Sequence, residues 1–213
     1  KDIFELAFNF EVDGLVATNL LLLADHLTDD TTILEVAFQR KPDRRIWAVR
    51  SDGVLLCCAY QREQNVVAWS RIETQGDVES ICVIPHPDGD REQVWLIVNR
   101  TVAGATKRFV EYFDDAGLSY DALNTDAAYT CDSASALTTF TSASHLNGAT
   151  VQVVADGAVR PDVVVADNSI VISAPAAKKL EAGFGYTSDL ITQRPELPVA
   201  GLTSQGSKIR WVT

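Results

Sequence analysis

The sequence predicts a mainly β protein, and three observations support that prediction. Short segments that alternate between apolar and polar residues recur from residue 31 onward, and turn dipeptides separate them. Two stretches with the same order of strands and turns follow one another along the chain. Only residues 18–27 show helical spacing of their apolar residues. Many short antiparallel strands and few helices are therefore expected.

Residues 18–27 are predicted to form the one short helix of the chain. Leu20, Leu23, Ala24 and Leu27 are spaced so that a helix would place them on one face, and Thr18 suits the N-cap position. A buried strand or an irregular apolar loop remains an alternative for so short a segment.

Four turn dipeptides predict hairpins, because glycine and asparagine accept the positive φ that tight turns require. Each dipeptide lies between two segments with strand character. The pairs of segments are 45–50 with 54–60; 94–101 with 105–113; 151–155 with the segment after its turn; and 163–165 with 170–173. The dipeptides are Asp52-Gly53, Ala103-Gly104, Asp156-Gly157 and Asp167-Asn168.

The two similar stretches predict a repeat of antiparallel blades. Each stretch has a strand, a proline loop, a strand with a central tryptophan, a glycine turn and a further strand; Trp47 and Trp95 lie 48 positions apart. Residues 66–73, with Trp69, would add a fourth strand to the first stretch. Spacings of about 40 to 50 residues are typical of β-propeller blades, whose tryptophans would fill the core between sheets. A β-sandwich with similar meanders by chance remains an alternative.

Residues 127–188 predict a second, smaller unit. A stretch rich in Thr, Ser and Ala, 133–144, resembles a linker, and short strands with glycine or asparagine corners follow it, as in a small five- or six-stranded barrel. Residues 174–180 are expected to form a helical turn or a loop, and 190–192 a strand leaving the barrel.

The predicted fold is therefore propeller-like antiparallel blades plus a small β-barrel domain and one short helix. Its three parts are residues 1–126, an incomplete propeller-like domain of about two blades, residues 127–188, the barrel, and residues 189–213, a strand returning to the first domain with a C-terminal extension. A chain without methionine that begins at Lys1 suggests a fragment of a longer protein.

Composition excludes several classes of function. The 18 Lys and Arg residues against 29 Asp and Glu residues give a net charge of −11, which repels phosphate backbones and argues against tight nucleic-acid binding. No segment approaches the roughly 20 apolar residues that cross a bilayer. The four cysteines, Cys57, Cys58, Cys82 and Cys131, are too few and too irregularly spaced for a disulfide framework and are expected to be reduced.

No catalytic, cofactor-binding or metal-binding residue is predicted, because no motif has the spacing that such chemistry requires. Five features could form a site, but each is interpreted as an ordinary loop or as part of the core. They are the separated histidines His26, His86 and His145; the acidic pairs Asp29-Asp30 and Asp114-Asp115; Asp88-Gly89-Asp90 with Glu92, which could offer oxygen ligands to calcium; the polar serines of 133–144; and Gly183-Phe184-Gly185.

Several segments in combination resemble phage tail-tube and nozzle-type structural proteins, over roughly residues 17–197. The segments that carry the resemblance are 46–56, 60–69, 78–85, 94–100, 107–111, 146–157, 161–162 and 183–188. The adjacent Cys57 and Cys58 depart from the smaller or β-branched residues expected there.

The resemblance implies a virion protein, made in the bacterial cytoplasm, that lines the DNA exit channel of a phage or prophage tail. It implies a homo-oligomeric ring with neighbouring tail proteins as partners, DNA that passes through without tight binding, and no catalytic residues.

Two alternatives remain open. One is a carbohydrate- or receptor-binding module of a tail, with candidate aromatic residues Tyr112, Phe113, Tyr120, Tyr129 and Tyr186; the other is a glycan-active propeller enzyme.

Overall fold

The fold is mainly β and consists of several antiparallel sheets. A computed structural model describes residues 2–114 and 125–191. Within those residues no sheet closes on itself, so the propeller and the barrel remain predictions while the β class is confirmed. The only helical segments described are three short 3-10 turns, Asp25–Leu27, Arg62–Gln64 and Ser144–Leu146. None of the described helices has the length and apolar character required to span a bilayer.

The first part of the chain forms a hairpin and a four-stranded meander. The hairpin strands pair with each other, and the meander strands pair in chain order. Trp69 belongs to the fourth strand of the meander, so the predicted fourth strand is confirmed. The strands are β1 (Phe4–Asn9) and β2 (Gly14–Asn19) in the hairpin, and β3 (Ile33–Gln39), β4 (Arg45–Arg50), β5 (Leu55–Gln61) and β6 (Val66–Ile72) in the meander.

A three-stranded meander follows. It consists of β7 (Asp77–Pro85), β8 (Glu92–Val102) and β9 (Ala105–Tyr112), again paired in chain order. Trp47 on β4 and Trp95 on β8 both lie on the second strand of their sheets, as the repeat predicts. The second sheet has three strands among the described residues instead of four. Two consecutive meanders are therefore present.

The two meanders share one apolar core. Trp47, Val49 and Leu55 of the first sheet lie in one buried cluster with Val78, Ile81, Val94, Leu96 and Val98 of the second. A hydrogen bond also joins the sheets, since the backbone N–H of Ile81 donates to Oε2 of Glu35 at 3.0 Å. Burying the inward face of each sheet against the other supplies the main stabilisation of both, because neither sheet can cover its own face.

The predicted helix at residues 18–27 is wrong. Residues 18 and 19 belong to strand β2, and the N–H of Leu20 donates to the Ile3 carbonyl at 2.9 Å. The Leu20 carbonyl, which a helix would pair with the N–H of Ala24, instead accepts from the Trp69 indole at 2.8 Å. Only Asp25–Leu27 forms a single 3-10 turn. Leu20 and Leu27 are buried against the outer face of the first meander, but Leu23 is 95% exposed, so the apolar residues do not share one face.

The second unit contains two sheets around one core. The four-stranded sheet has the order β10-β15-β12-β13, and β11 pairs with β14. Phe140, Leu146 and Ile170 are fully buried between the sheets. The strands are β10 (Asp126–Leu137), β11 (Thr139–Thr141), β12 (Thr150–Ala155), β13 (Ala158–Val164), β14 (Ser169–Val171) and β15 (Ala177–Phe184).

The predicted hairpin turns form. Gly53, Gly104 and Gly157 have φ of 82°, 78° and 74°, and strands pair on both sides of each turn. Asp167 and Asn168 also have positive φ and make a tight turn, but the strand that follows, β14, pairs with β11 instead of β13.

Two predicted segments of the second unit are wrong. Most of the supposed linker 133–144 lies in β10 and β11, and most of the supposed helical turn or loop 174–180 lies in β15. In both cases hydrogen bonding to neighbouring strands decides the conformation, because β15 pairs with both β10 and β12. Ser and Thr are tolerated in such strands when their side chains lie on the outward face of the sheet. Leu190 and Ile191 are not in a strand, and residues 192–213 lie outside the described residues.

The shared core between the two meanders predicts a large cost for truncating Leu55. This side chain is fully buried between the sheets, so Leu55→Ala should lower the free energy of unfolding by about 2 to 5 kcal/mol. The same change at Leu23, which is 95% exposed, should cost less than about 0.5 kcal/mol. Urea unfolding of both variants measures the difference. Equal losses would show that the two sheets do not bury Leu55 between them.

Candidate functional site

A buried arginine lies at the centre of the candidate site. Arg100 is on β8, and its side chain is 2% exposed. Its guanidinium pairs in a bidentate manner with Glu111 of the neighbouring strand β9: Nε lies 2.6 Å from Oε1, and Nη2 lies 2.7 Å from Oε2. Two parallel charge-assisted hydrogen bonds of this kind fix the orientation of both side chains.

The same guanidinium reaches the second unit. Both Nη atoms of Arg100 lie 3.2 Å from an oxygen of Asp126, the first residue of β10. Nη1 also donates to Oγ1 of Thr74 at 2.6 Å and to the Gln75 carbonyl at 2.9 Å, and the Thr74 hydroxyl donates to Asp126. We call these five residues the Arg100 network. All three nitrogens of the guanidinium therefore already have acceptors.

Two glycines allow the chain to approach the Arg100 network closely. A Cβ at Gly76, whose φ is 152°, would lie 2.7 Å from the Asn99 carbonyl oxygen and 2.8 Å from Cγ of Arg100. A Cβ at Gly183 on β15 would lie 2.5 Å from the Asp126 carbonyl oxygen. Any other residue at either position would displace a member of the network or its backbone.

The electrostatics of the network keep Arg100 charged. Burial alone would lower the pKa of Arg100, but the hydrogen bonds and negative charges of Glu111 and Asp126 outweigh that effect and raise the pKa above its ordinary value. The buried cation is thus compensated by carboxylates from two separate parts of the chain. Removing it would leave both carboxylates close together without their counter-ion.

The Arg100 network, apart from Gln75, lines a cleft of about 610 Å³. The other lining residues come from both meanders and from the second unit. Leu96 and Val98 contribute an apolar floor, and His145 lies on the side of the second unit, where its Nε2 is 3.1 Å from the Ala127 carbonyl oxygen. Binding pockets often have this composition, apolar for most of their surface with a few oriented polar groups, and often lie between domains.

Three of the five aromatic residues considered for sugar binding line this cleft. Tyr112 and Phe113 follow each other at the end of β9, and Tyr186 lies just beyond β15. Tyr129 does not line the cleft, and its hydroxyl donates to the Thr141 carbonyl at 2.6 Å. Tyr120 lies outside the described residues.

The tyrosines that line the cleft are more exposed than its two phenylalanines, Phe109 and Phe113, which are half-buried. Tyr112 is 48% exposed and Tyr186 is 59% exposed. Phe113 is half-buried and stacks on Trp47 with ring centroids 5.2 Å apart, whereas Tyr112 lies 5.0 Å from Trp95. Of the tryptophans predicted to fill the core between the sheets, only Trp47 is buried there. Trp95 is half-buried on the opposite face of β8 from Val94 and Leu96, and Trp69 packs on the outer face of the first meander.

The loop between β7 and β8 gathers one potential set of metal ligands. Oxygen or nitrogen atoms of His86, Asp88 and Asp90 lie within 4.8 Å of one another. Arg91 of the same loop contacts His86 at 3.2 Å and Asp90 at 3.2 Å. Glu92, the further candidate calcium ligand in the sequence, instead accepts a hydrogen bond from the backbone N–H of Arg40 at 2.5 Å. Within this loop, Arg91 therefore competes with a metal ion for His86 and Asp90.

The other sequence candidates do not converge with one another in the described residues. His26 is exposed, and so are Asp29 and Asp30. Asp114 lines the cleft, whereas Asp115 lies outside the described residues. Phe184, between the two glycines of the 183–185 segment, is buried in the core of the second unit.

The four cysteines are free thiols. Cys57 and Cys58 lie side by side on β5, where alternate side chains point to opposite faces. Burial raises the pKa of Cys58 to about 11 and also raises the pKa of Cys57. Both thiols are therefore poor nucleophiles at neutral pH.

A comparison of the sequence with protein-family models and with curated proteins finds no match. The assignment of function therefore depends on the fold, the cleft and the charges of this chain.

Removing Arg100 should strongly destabilise the protein. Arg100→Met leaves Glu111 and Asp126 without their counter-ion, so we expect the free energy of unfolding to fall by about 3 to 5 kcal/mol. Replacing both carboxylates as well, by Glu111→Gln and Asp126→Asn, should recover part of that loss. The matched control is Arg108→Met, because Arg108 pairs with Glu79 on an exposed surface and should contribute little. Similar, small losses in the Arg100 and Arg108 variants would contradict the role of the network.

Proposed function

We propose that the chain is a structural component of a phage or prophage tail. It forms a homo-oligomeric ring of the nozzle or tail-tip type, which lines the DNA exit channel of the virion and contacts neighbouring tail proteins. The observation that carries this proposal is the pair of consecutive meanders that share one core, because such sheets are stacking units that continue to bury apolar surface when further sheets are added.

Apolar surface that remains exposed on the first part of the chain supports assembly. Leu34, Val36 and Phe38 are 63%, 49% and 45% exposed and alternate along β3, an edge strand of the first meander. Phe4, Leu6 and Phe8 of β1 are also about half exposed or more, at 55%, 64% and 48%. An exposed edge strand with apolar side chains favours association with another chain.

A basic patch beside this surface suits a contact between unlike faces. Phe38 lines a surface depression together with Arg40, Lys41, Arg44 and Arg62, although the net charge of the chain is −11. Glu5 and Glu63 also line it: Arg44 pairs with Glu63 at 2.7 Å and Arg62 pairs with Glu5 at 3.4 Å, so the lining carries a net charge of two positive units. A basic region on one copy and an acidic surface on the next would attract each other, and contacts between different faces are those that build rings.

The charge of the chain also suits DNA passage. Each phosphate that a channel neutralises adds affinity and slows movement, so a wall that carries net negative charge binds duplex DNA weakly. In the proposed ring the acidic surface faces the channel, and the basic patch faces a neighbouring subunit.

Assembly can be measured directly. Light scattering of the chain should give a discrete oligomer, and Phe38→Glu should shift it towards the 23.2 kDa monomer, because a charge would be buried in the contact. Val159→Glu is the matched control, since Val159 is 84% exposed on β13 of the second unit. A chain that is monomeric with and without its tail partners, or an oligomer that both variants leave unchanged, would contradict the proposal.

A carbohydrate- or receptor-binding module of a tail is the second candidate function. It is favoured by Phe113 and Tyr186, which line one cleft together with the carboxylates of Glu111 and Asp126. The ring of Tyr112 instead packs on Trp95, on the opposite face of the second meander from Glu111. The glycan-active enzyme receives less support: glycosidases need a proton-donating carboxyl group beside the scissile bond, whereas Glu111 and Asp126 both accept hydrogen bonds from Arg100.

A further inference from the structure

We propose that the hairpin β1-β2 of one copy of the chain packs its apolar face on strand β3 of the next copy, with β1 and β3 running in the same direction. This inference rests on the proposed ring and names the contact that builds it. Three features carry it: the direction in which the apolar face of the hairpin points, the matching rows of apolar side chains on the two strands, and the charges beyond the end of each row.

One face of the hairpin is apolar and exposed. Phe4, Leu6 and Phe8 alternate along β1, and the register places Leu15 of β2 opposite Phe8, on the same face. Leu15 is 65% exposed, and the ring of Phe10, which is 90% exposed, packs edge-on against Phe8 with ring centroids 5.0 Å apart. A two-stranded hairpin is barely stable alone in water, and a contiguous apolar face of this kind is typical of an interaction surface.

The opposite face of the hairpin contacts its own chain. Ile3, directly before β1, packs on the outer face of the first meander beside Ile46. Oε1 of Glu5 lies 3.4 Å from Nη1 of Arg62. Side chains alternate along a strand, so Ile3 and Glu5 point towards the first meander and the even-numbered apolar residues point away from it. The apolar face is thus directed outward, where a second copy can cover it.

Strand β3 presents a row of the same length. Phe38 pairs with Ile46, which is buried on the outer face of the first meander, so Leu34, Val36 and Phe38 form a row on that face. Three alternate residues span about 13 Å along a strand, and the row on β1 has the same spacing. β3 is an edge strand, so no further strand of its sheet lies beside the row.

Charges of opposite sign lie just beyond the two rows. The hairpin turn that follows the row on β1 carries Glu11 and Asp13, and the loop that follows the row on β3 carries Arg40 and Lys41; all four residues are exposed. None of the four side chains forms an ion pair with a described residue. Glu92 accepts a hydrogen bond from the backbone N–H of Arg40, not from its guanidinium. The acidic turn of one copy therefore attracts the basic loop of the next.

The positions of these charges fix the direction of packing. When β1 and β3 are parallel, the two apolar rows coincide and the acidic turn lies over Arg40 and Lys41. In the reverse direction the turn would lie near the start of β3, where Asp30 is an exposed carboxylate, and like charges would repel. The contact joins two different faces, and such contacts repeat around a ring.

Reversing the charges tests the direction of packing. Glu11→Lys with Asp13→Asn should weaken self-association about tenfold or more, because it places like charges together; Asn is chosen because Asp13 has a φ of 45°, which Asn tolerates. Adding Arg40→Glu and Lys41→Gln to the same chain should restore association. Sedimentation equilibrium of each chain measures the dissociation constant.

A matched control changes the same charges elsewhere. Asp162→Lys with Asp132→Asn alters the net charge by the same amount on exposed residues of the second unit, and it should leave association unchanged. Association of the unaltered chain should weaken as salt is added.

Mixing two defective chains tests whether unlike faces meet. Leu6→Glu removes the apolar row of the hairpin, and Phe38→Glu removes the row of β3, so each chain alone should be monomeric. A mixture should give a one-to-one pair, because each chain retains the face that the other has lost. Both side chains are about half exposed or more, so urea unfolding should match that of the unaltered chain. Val159→Glu, mixed with Phe38→Glu, is the control and should still assemble with its own copies.

The outcomes separate this contact from the ring itself. A one-to-one pair in the mixture, together with recovery by the reversed charges, supports the contact. An oligomer that Phe38→Glu disrupts and Leu6→Glu leaves intact, a mixture that stays monomeric, or reversed charges that fail to restore association would each overturn the contact and leave the ring in place. A chain that is monomeric with and without its tail partners would overturn both.

Discussion

The buried charge of Arg100 is the constraint on which the arrangement of the two units depends. Moving a guanidinium out of water is costly unless carboxylates replace the lost solvation, and the two carboxylates come from different places: Glu111 from the second meander and Asp126 from the second unit. The loop at Thr74 and Gln75 adds further acceptors. The cation is fully compensated only when these segments are together, so the network joins the units.

The same network gives the cleft its chemical character. Because Arg100 is engaged by its own chain, the cleft presents carboxylate oxygens to solvent instead of a free cation. The exposed apolar strand β3 lies on the first meander, away from the cleft lining. A scaffold that assembles through the first meander could therefore keep the cleft open to a ligand, so the two proposed functions are compatible.

Hairpins were predictable from sequence because turn residues act locally: Asp52-Gly53 and Ala103-Gly104 need only a positive φ. The helix at residues 18–27 failed because distant partners, Ile3 and Trp69, bind the backbone of Leu20. The hairpin β1-β2 was missed although Phe4, Leu6 and Phe8 alternate before Asp13-Gly14. The inward position of Arg100 was also predictable from sequence, since Arg100 continues the alternation of the inward-facing Val94, Leu96 and Val98. No local pattern indicates its carboxylate partners, because they lie on other strands.

Native-state hydrogen exchange of the unaltered chain tests most directly whether the Arg100 network joins the two units. Breaking the network exposes charges in both units at once, so the slowest amides of β8 and of β10 should open with the same free energy. The result that would contradict the account is a sheet β10-β15-β12-β13 that opens at a clearly lower free energy while β8 and β9 stay protected.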